Sequence, residues 1–140
     1  MNLDALEQQL VEHEGLRLDM YKDTMGIATI GVGRNLEHVG LRTEAEARFL
    51  LRSDILAILA EMEVALPWLN ELDEIRQRVL LDMAFNLGVA GLCKFTATLD
   101  HVEARRFDQA SVEMLDSRWA DQVGQRAVRL SEMMATGEAT

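Results

Sequence analysis

Apolar residues recur at helical spacing from the start of the chain. Leu3, Leu6, Leu10 and Val11 share one stripe, which predicts a helix over residues 3–13 with Gly15 in a left-handed cap. Glu14 then stands at the helix end. From 16 to 33 the period shortens to two. Leu18 and Met20 alternate with Arg17 and Asp19; beyond "KDTMG", Ala28, Ile30 and Val32 alternate with Ile27, Thr29 and Gly31. Two short antiparallel strands joined by a Gly-containing turn fit this pattern, with Asp23 at the turn. Gly31 and Gly33 indicate a bend or a close approach of backbone.

Helical spacing returns after "RNLEHVGL". Thr43 and Glu46 form a capping box, and Phe49, Leu50, Leu51, Ile55, Leu56, Ile58, Leu59 and Met62 follow it. The predicted helix runs from 43 to about 65, where Pro67 stops it, a length of about 30 Å. A second strong helix spans 71–87, with Leu72, Ile75, Val79, Met83 and Leu87 on one face and Gly88 as its cap. Shorter helices are expected at 97–104, 107–115, 118–122 and 125–134, with Asp108 and Ser117 as caps. The pattern is a small α/β part followed by an all-helical part.

Composition narrows this picture. The chain has 140 residues, nearly half of them apolar, enough for one compact domain or two small lobes. The longest apolar runs fall well short of a membrane span. The acidic, amphipathic "MNLDALEQQLVEHE" resembles neither a signal nor a transit peptide, so a cytoplasmic start is expected. A net charge of −10 weighs against nucleic-acid binding, although the arginines of "ARRF" and "GQRAVRL" leave room for a local basic patch. Cys93 is the only cysteine. It reads as a small packed residue rather than a catalytic thiol, and an intrachain disulfide is excluded. His13, His38 and His101 show no ligand spacing, so neither a metal nor a cofactor is expected.

The candidate chemistry is a pair of carboxylates. Glu14 at a helix end and Asp23 at a hairpin tip occupy positions from which rigid elements present side chains. Glycosidic bond cleavage needs two such groups, one protonated for the leaving oxygen and one ionised for water or the sugar. Against this, 24 acidic residues make a chance pairing common, and a solvated surface is the plain alternative. Asp19 reads as a solvated charge. "GVGRNL" lacks the third glycine of a dinucleotide fingerprint, since Leu36 stands there. Met20, Met62 and Met83 fall at core spacing, and Trp119 reads as core or cleft wall.

The run E-G-L-R-L-x-x-Y-K-D-T-x-G-x-x-T-I-G-x-G, Glu14 to Gly33, closely resembles the T-even bacteriophage lysozymes, glycoside hydrolase family 24. "EAEARFLL", "RVLLDMAFNLG", "FTATL", "RFDQASVEMLDSRW" and "QRAVRL" extend the likeness in order over almost the whole chain. The resemblance implies an α+β, mostly α-helical, two-lobed lysozyme-like fold. It would have a small β-hairpin lobe at about 14–45 and a connecting helix at about 43–65. The helical lobe would comprise about 66–140 plus the N-terminal helix 3–13, with a cleft between the lobes. It implies hydrolysis of the β-1,4 bond between N-acetylmuramic acid and N-acetylglucosamine in peptidoglycan. Glu14 would be the general acid, with Asp23 and Thr29 placing water, and Arg126 would pair with the acid. Asn35, Phe85, Thr98 and Glu113 occupy saccharide-contacting positions. The family resembles inverting enzymes, with carboxyl groups about 6.5–9.5 Å apart. A monomeric endolysin is expected, held in the host cytoplasm and released to the cell wall or periplasm through a holin-type pore. It would have no stable membrane insertion of its own. A catalytically silent peptidoglycan-binding module of a virion, a lytic transglycosylase and an acidic protein–protein adaptor are the alternatives.

Several positions depart from the family. The usual insertion in the small lobe is absent. Arg34 replaces a histidine, Asn35 a leucine and Glu113 an asparagine, and Met25 replaces a glutamate that would face Arg118. The acidic balance is the largest departure. An anionic wall polymer should repel a −10 surface at long range, most strongly at low salt. Activity on a purified acidic wall substrate is therefore expected to rise from very low ionic strength toward moderate salt; a steady fall on adding salt would contradict this.

Overall fold

The computed structural model describes residues 1–140, which form two compact units, Met1–Leu51 and Arg52–Thr140. The first contains α1 (Leu3–Glu14), β1 (Arg17–Lys22), β2 (Ala28–Gly31), β3 (Arg34–Asn35) and the opening turns of α2 (Glu44–Ala65). The second takes the rest of α2, a 3-10 turn at Leu69–Glu71, then α3 (Glu74–Leu87), α4 (Val89–Leu92), α5 (Thr96–Glu103), α6 (Phe107–Leu115), α7 (Arg118–Val123) and α8 (Gln125–Thr136). The class is α+β and mostly helical, as expected. The N-terminal helix falls in the same unit as the sheet.

Local chemistry sets the boundaries of the first unit. Asn2 opens α1, its Oδ1 accepting from the Ala5 N–H at 3.0 Å. Gly15 ends it with φ 75° and ψ 160°, a mirror-extended conformation open only to glycine, rather than the left-handed helical cap the sequence suggested. The sheet has three antiparallel strands in the order β1-β2-β3, one more than the period-two pattern predicted. β3 is only two residues long, too short to show a period.

The expected alternation on β1 is absent. Leu18 is 86% exposed and Met20 60%, so Met20 is no core methionine. The register shifts between Arg17 and Tyr21, and such a bulge breaks strict in-out alternation. The first unit has no buried apolar residue; Thr29 alone is buried there. Polar bonds define much of its shape. Glu46 and Thr43 complete the capping box at 3.1 Å each way, and Arg34 donates to Gly40 O at 3.0 Å and to Glu46 Oε1 at 3.2 Å. The Arg42 and Thr43 N–H groups, with Arg34 behind them, hold the Glu46 carboxyl below the ordinary carboxylate range.

The second unit contains the hydrophobic core. Met62, Val79, Leu80, Met83, Leu92, Val102, Met114 and Met134 are fully buried, and Cys93 packs against them partly covered. Further along, α8 packs against α3, α6 and α7. No helix is long and apolar enough to cross a membrane. Ser117 caps α7 as expected, accepting from Ala120 N–H at 3.1 Å. Asp108 does not cap α6: Arg106 takes the N-cap position, and Asp108 sits in the first turn, where its charge still suits the helix dipole.

Arg76 joins two helix ends. It donates to Met134 O at 2.7 Å and Ala135 O at 2.9 Å, covering carbonyls at the end of α8, and lies 3.6 Å over the Phe107 ring. It also pairs with Asp73 at 3.0 Å, while the Asp73 side chain caps α3. Burial alone would raise the Asp73 pKa; the N–H and guanidinium of Arg76 outweigh it and hold the carboxyl low. A lowered folded value means that this stabilisation is present above the ordinary 3.8 and is lost as pH falls through the folded value. Asp73→Ala should cost about 1–2 kcal/mol at neutral pH. In thermal melts the gap from the parent should narrow as the pH falls below the ordinary carboxylate range, and a gap that stays constant would contradict the assignment.

Candidate active site

Three residues proposed for chemistry lie in the first unit. Glu14 is the last residue of α1, solvent-exposed, and its position follows from Gly15 ending the helix there. Its carboxylate lies against the backbone of Gly33, which has φ 63°. A Cβ at that position would stand 3.1 Å from Glu14 Oε2 and 3.4 Å from its Cδ. The two residues are 19 apart in sequence, and the turn after β2 brings them together.

Asp23 follows β1 directly and organises the loop to β2. Its Oδ1 accepts from Met25 N–H at 2.8 Å and from Ile27 N–H at 2.9 Å. Its own N–H donates to Ile27 O at 3.0 Å, and its carbonyl accepts from Gly26 N–H at 3.0 Å. This is an Asx-type turn, the reason an aspartate closes a tight reversal so well. The loop uses Oδ1 for both side-chain bonds.

Thr29 sits in the central strand, paired with Tyr21 on one side and Asn35 on the other. It is 3% exposed, and its hydroxyl donates to Ile27 O at 2.9 Å. The hydroxyl proton is thereby committed, and Thr29 Oγ1 faces any further partner as an acceptor. The carbonyl it binds belongs to the residue that also closes the Asp23 loop. An open apolar groove of about 1030 Å³, lined by Leu18, Ile30, Val32, Leu41, Phe49 and Leu50 among others, occupies another part of this unit; Glu14, Asp23 and Thr29 are not among its lining residues.

The remaining sequence-derived residues have more structural surroundings. Asn35 Oδ1 accepts from Glu37 N–H at 2.9 Å and His38 N–H at 2.8 Å, so the side chain closes a turn. In the helical unit Thr98 is 2% exposed and packed inside α5, away from solvent. Glu113 is half-buried on α6. Phe85 is 44% exposed on α3, more than core packing would give. Arg126, expected to pair with the acid, holds Asp82 within the helical unit, with Nε to Oδ1 at 2.8 Å and Nη2 to Oδ1 at 2.6 Å. Nothing in the sequence pattern singled out Asp82, because one apolar stripe defined the whole helix. Trp119 is core: its Nε1–H donates to Asn86 Oδ1 at 2.9 Å, and its ring meets Phe95 edge-on at 6.0 Å.

The Phage lysozyme family model matches residues 11–133, and the chain belongs to that family. It is 26% identical to Probable T4-type lysozyme 1 of Dictyostelium discoideum, over 96% of each chain. That alignment runs to 164 positions, longer than the chain itself, so the relative has segments absent here. Probable T4-type lysozyme 2 of the same organism is also 26% identical, again over 96% of each chain. The pre-baseplate central spike protein Gp5 of Enterobacteria phage T4 is 29% identical over 95% of this chain and 28% of its own length.

The Asp23 turn separates two roles of one side chain. Asparagine keeps an Oδ1 able to accept both N–H groups, whereas alanine keeps neither bond. Asp23→Ala should therefore cost about 1–3 kcal/mol in thermal unfolding, and Asp23→Asn much less. Equal losses would show that charge, not the turn bonds, holds the loop.

Proposed function

We propose that this lysozyme cleaves the β-1,4 bond between N-acetylmuramic acid and N-acetylglucosamine in peptidoglycan, with Glu14 as general acid and Asp23 and Thr29 handling water. The observation that carries this reading is the Asp23–Ile27–Thr29 arrangement. One carboxylate oxygen is committed to the turn, and the hydroxyl proton of Thr29 is committed to Ile27 O. A water between them would give one hydrogen to Asp23 Oδ2 and the other to Thr29 Oγ1. Its lone pair would then be left for the anomeric carbon.

In the proposed single displacement, Glu14 gives its proton to the glycosidic oxygen as the bond to the anomeric carbon breaks. Water adds from the opposite face and passes a proton to Asp23. The product sugar carries inverted stereochemistry, as a single displacement by water requires. No cofactor enters this scheme. Release from the host cytoplasm through a holin-type pore, acting as a monomer, completes the proposed endolysin role. The similarity to Gp5, a spike protein by its name, favours a second reading in which the domain is carried by the particle. Mass spectrometry of purified particles separates the two.

Glu14→Gln tests the mechanism. Glu14 is exposed and the change is nearly isosteric, so stability should move by less than about 0.5 kcal/mol. Turnover in a wall-clearing assay should fall by about 10²–10⁴-fold, the usual contribution of a general acid. Full lytic activity in a folded Glu14→Gln protein would remove Glu14 from the mechanism.

A further inference from the structure

We infer that Gly33 is a positioning residue for the acid: the bare backbone at this point forms the surface against which the Glu14 carboxylate is set. The inference rests on the proposed role of Glu14 and extends it to a residue outside the carboxylate–threonine set. Glu14 is exposed at a helix end, where a side chain with three rotatable bonds has many conformations open to it. Gly33 limits one side of that space. A Cβ there would lie 3.1 Å from Oε2, 3.4 Å from Cδ and 3.5 Å from Cγ of Glu14, so the contact runs along the whole end of the side chain. Any larger residue must push the carboxyl group aside by a few tenths of an ångström or turn it into solvent.

The chain contains its own control. Gly31 has nearly the same conformation, φ 67° against 63°, but a Cβ on it would meet nothing within 4 Å. Both glycines carry the strain that a side chain suffers at positive φ; only Gly33 faces the acid. The backbone requirement and the contact with Glu14 therefore come apart between two residues of one short segment. A displaced acid fails in the transition state, where the proton must meet the leaving oxygen, more than in substrate binding. The loss should fall on kcat rather than KM.

The test compares Gly33→Ala, Gly31→Ala and Glu14→Gln on a soluble peptidoglycan fragment, with thermal melts to confirm folding. Gly33→Ala is expected to lower kcat by about 10-fold or more with KM within about twofold. Gly31→Ala should show a similar fall in Tm with kcat near the parent's. If Gly33→Ala is unfolded at the assay temperature, Gly33→Asn places the same Cβ with a residue that tolerates positive φ and should show the same loss of kcat. A folded Gly33 variant with parental kcat, beside an inactive Glu14→Gln, overturns the inference and leaves Glu14 as the acid. Equal kcat losses in the Gly31 and Gly33 variants also overturn it, since strain would then explain both. An active Glu14→Gln overturns the parent reading instead.

Discussion

The first fifty residues depend on a chain reversal closed by one oxygen atom. Asp23 Oδ1 gathers the N–H groups of Met25 and Ile27, and Asp23 N–H returns to Ile27 O. That closure starts β2 at Ala28 and sets Thr29 in the central strand between Tyr21 and Asn35. The same carbonyl of Ile27 takes the Thr29 hydroxyl. Loop geometry and the hydrogen-bonding character of the proposed water site are therefore fixed by one small set of bonds.

This matters because the unit has little else to rely on. Its apolar side chains form an open groove rather than a closed core, and Thr29 is its one buried residue. Hydrogen bonds near the surface are individually weak, and their contribution lies in specifying one arrangement rather than in bulk stability. The Asx turn at Asp23, the Asn35 turn, the Arg34 clamp and the Thr43–Glu46 box each fix a different segment. The helical unit is built the opposite way, around Met62, Val79, Leu80, Met83 and Met134. Stability and the proposed chemistry are thus drawn from different parts of the chain.

The sequence exposed those features that local rules control. The capping box at Thr43, the Ser117 cap, the stop at Gly88 and the long helix through Met62 all follow from short-range pattern. Glu14 and Asp23 were legible as residues because each stands beside an element boundary. The burial of β1 was not legible: alternation of Leu18 and Met20 with Arg17 and Asp19 assumes a strand in regular register beneath a second layer. The bulge and the open groove supply neither. Long-range polar partners were also hidden. Arg126 with Asp82, Trp119 with Asn86, and Arg76 with the end of α8 join residues that no periodicity links. Gly31 and Gly33 were marked together for a bend or a close backbone approach, but which of them approaches what is set only by the fold.

The central claim is that water attacks directly, placed by Asp23 and Thr29, while Glu14 protonates the leaving oxygen. Proton NMR of the sugar released in the first moments of digestion, before mutarotation, reads this most directly. The account predicts that a β-linked substrate first yields the α-anomer at the new reducing end. A β-anomer formed first, or a 1,6-anhydro end in place of a reducing end, would contradict it.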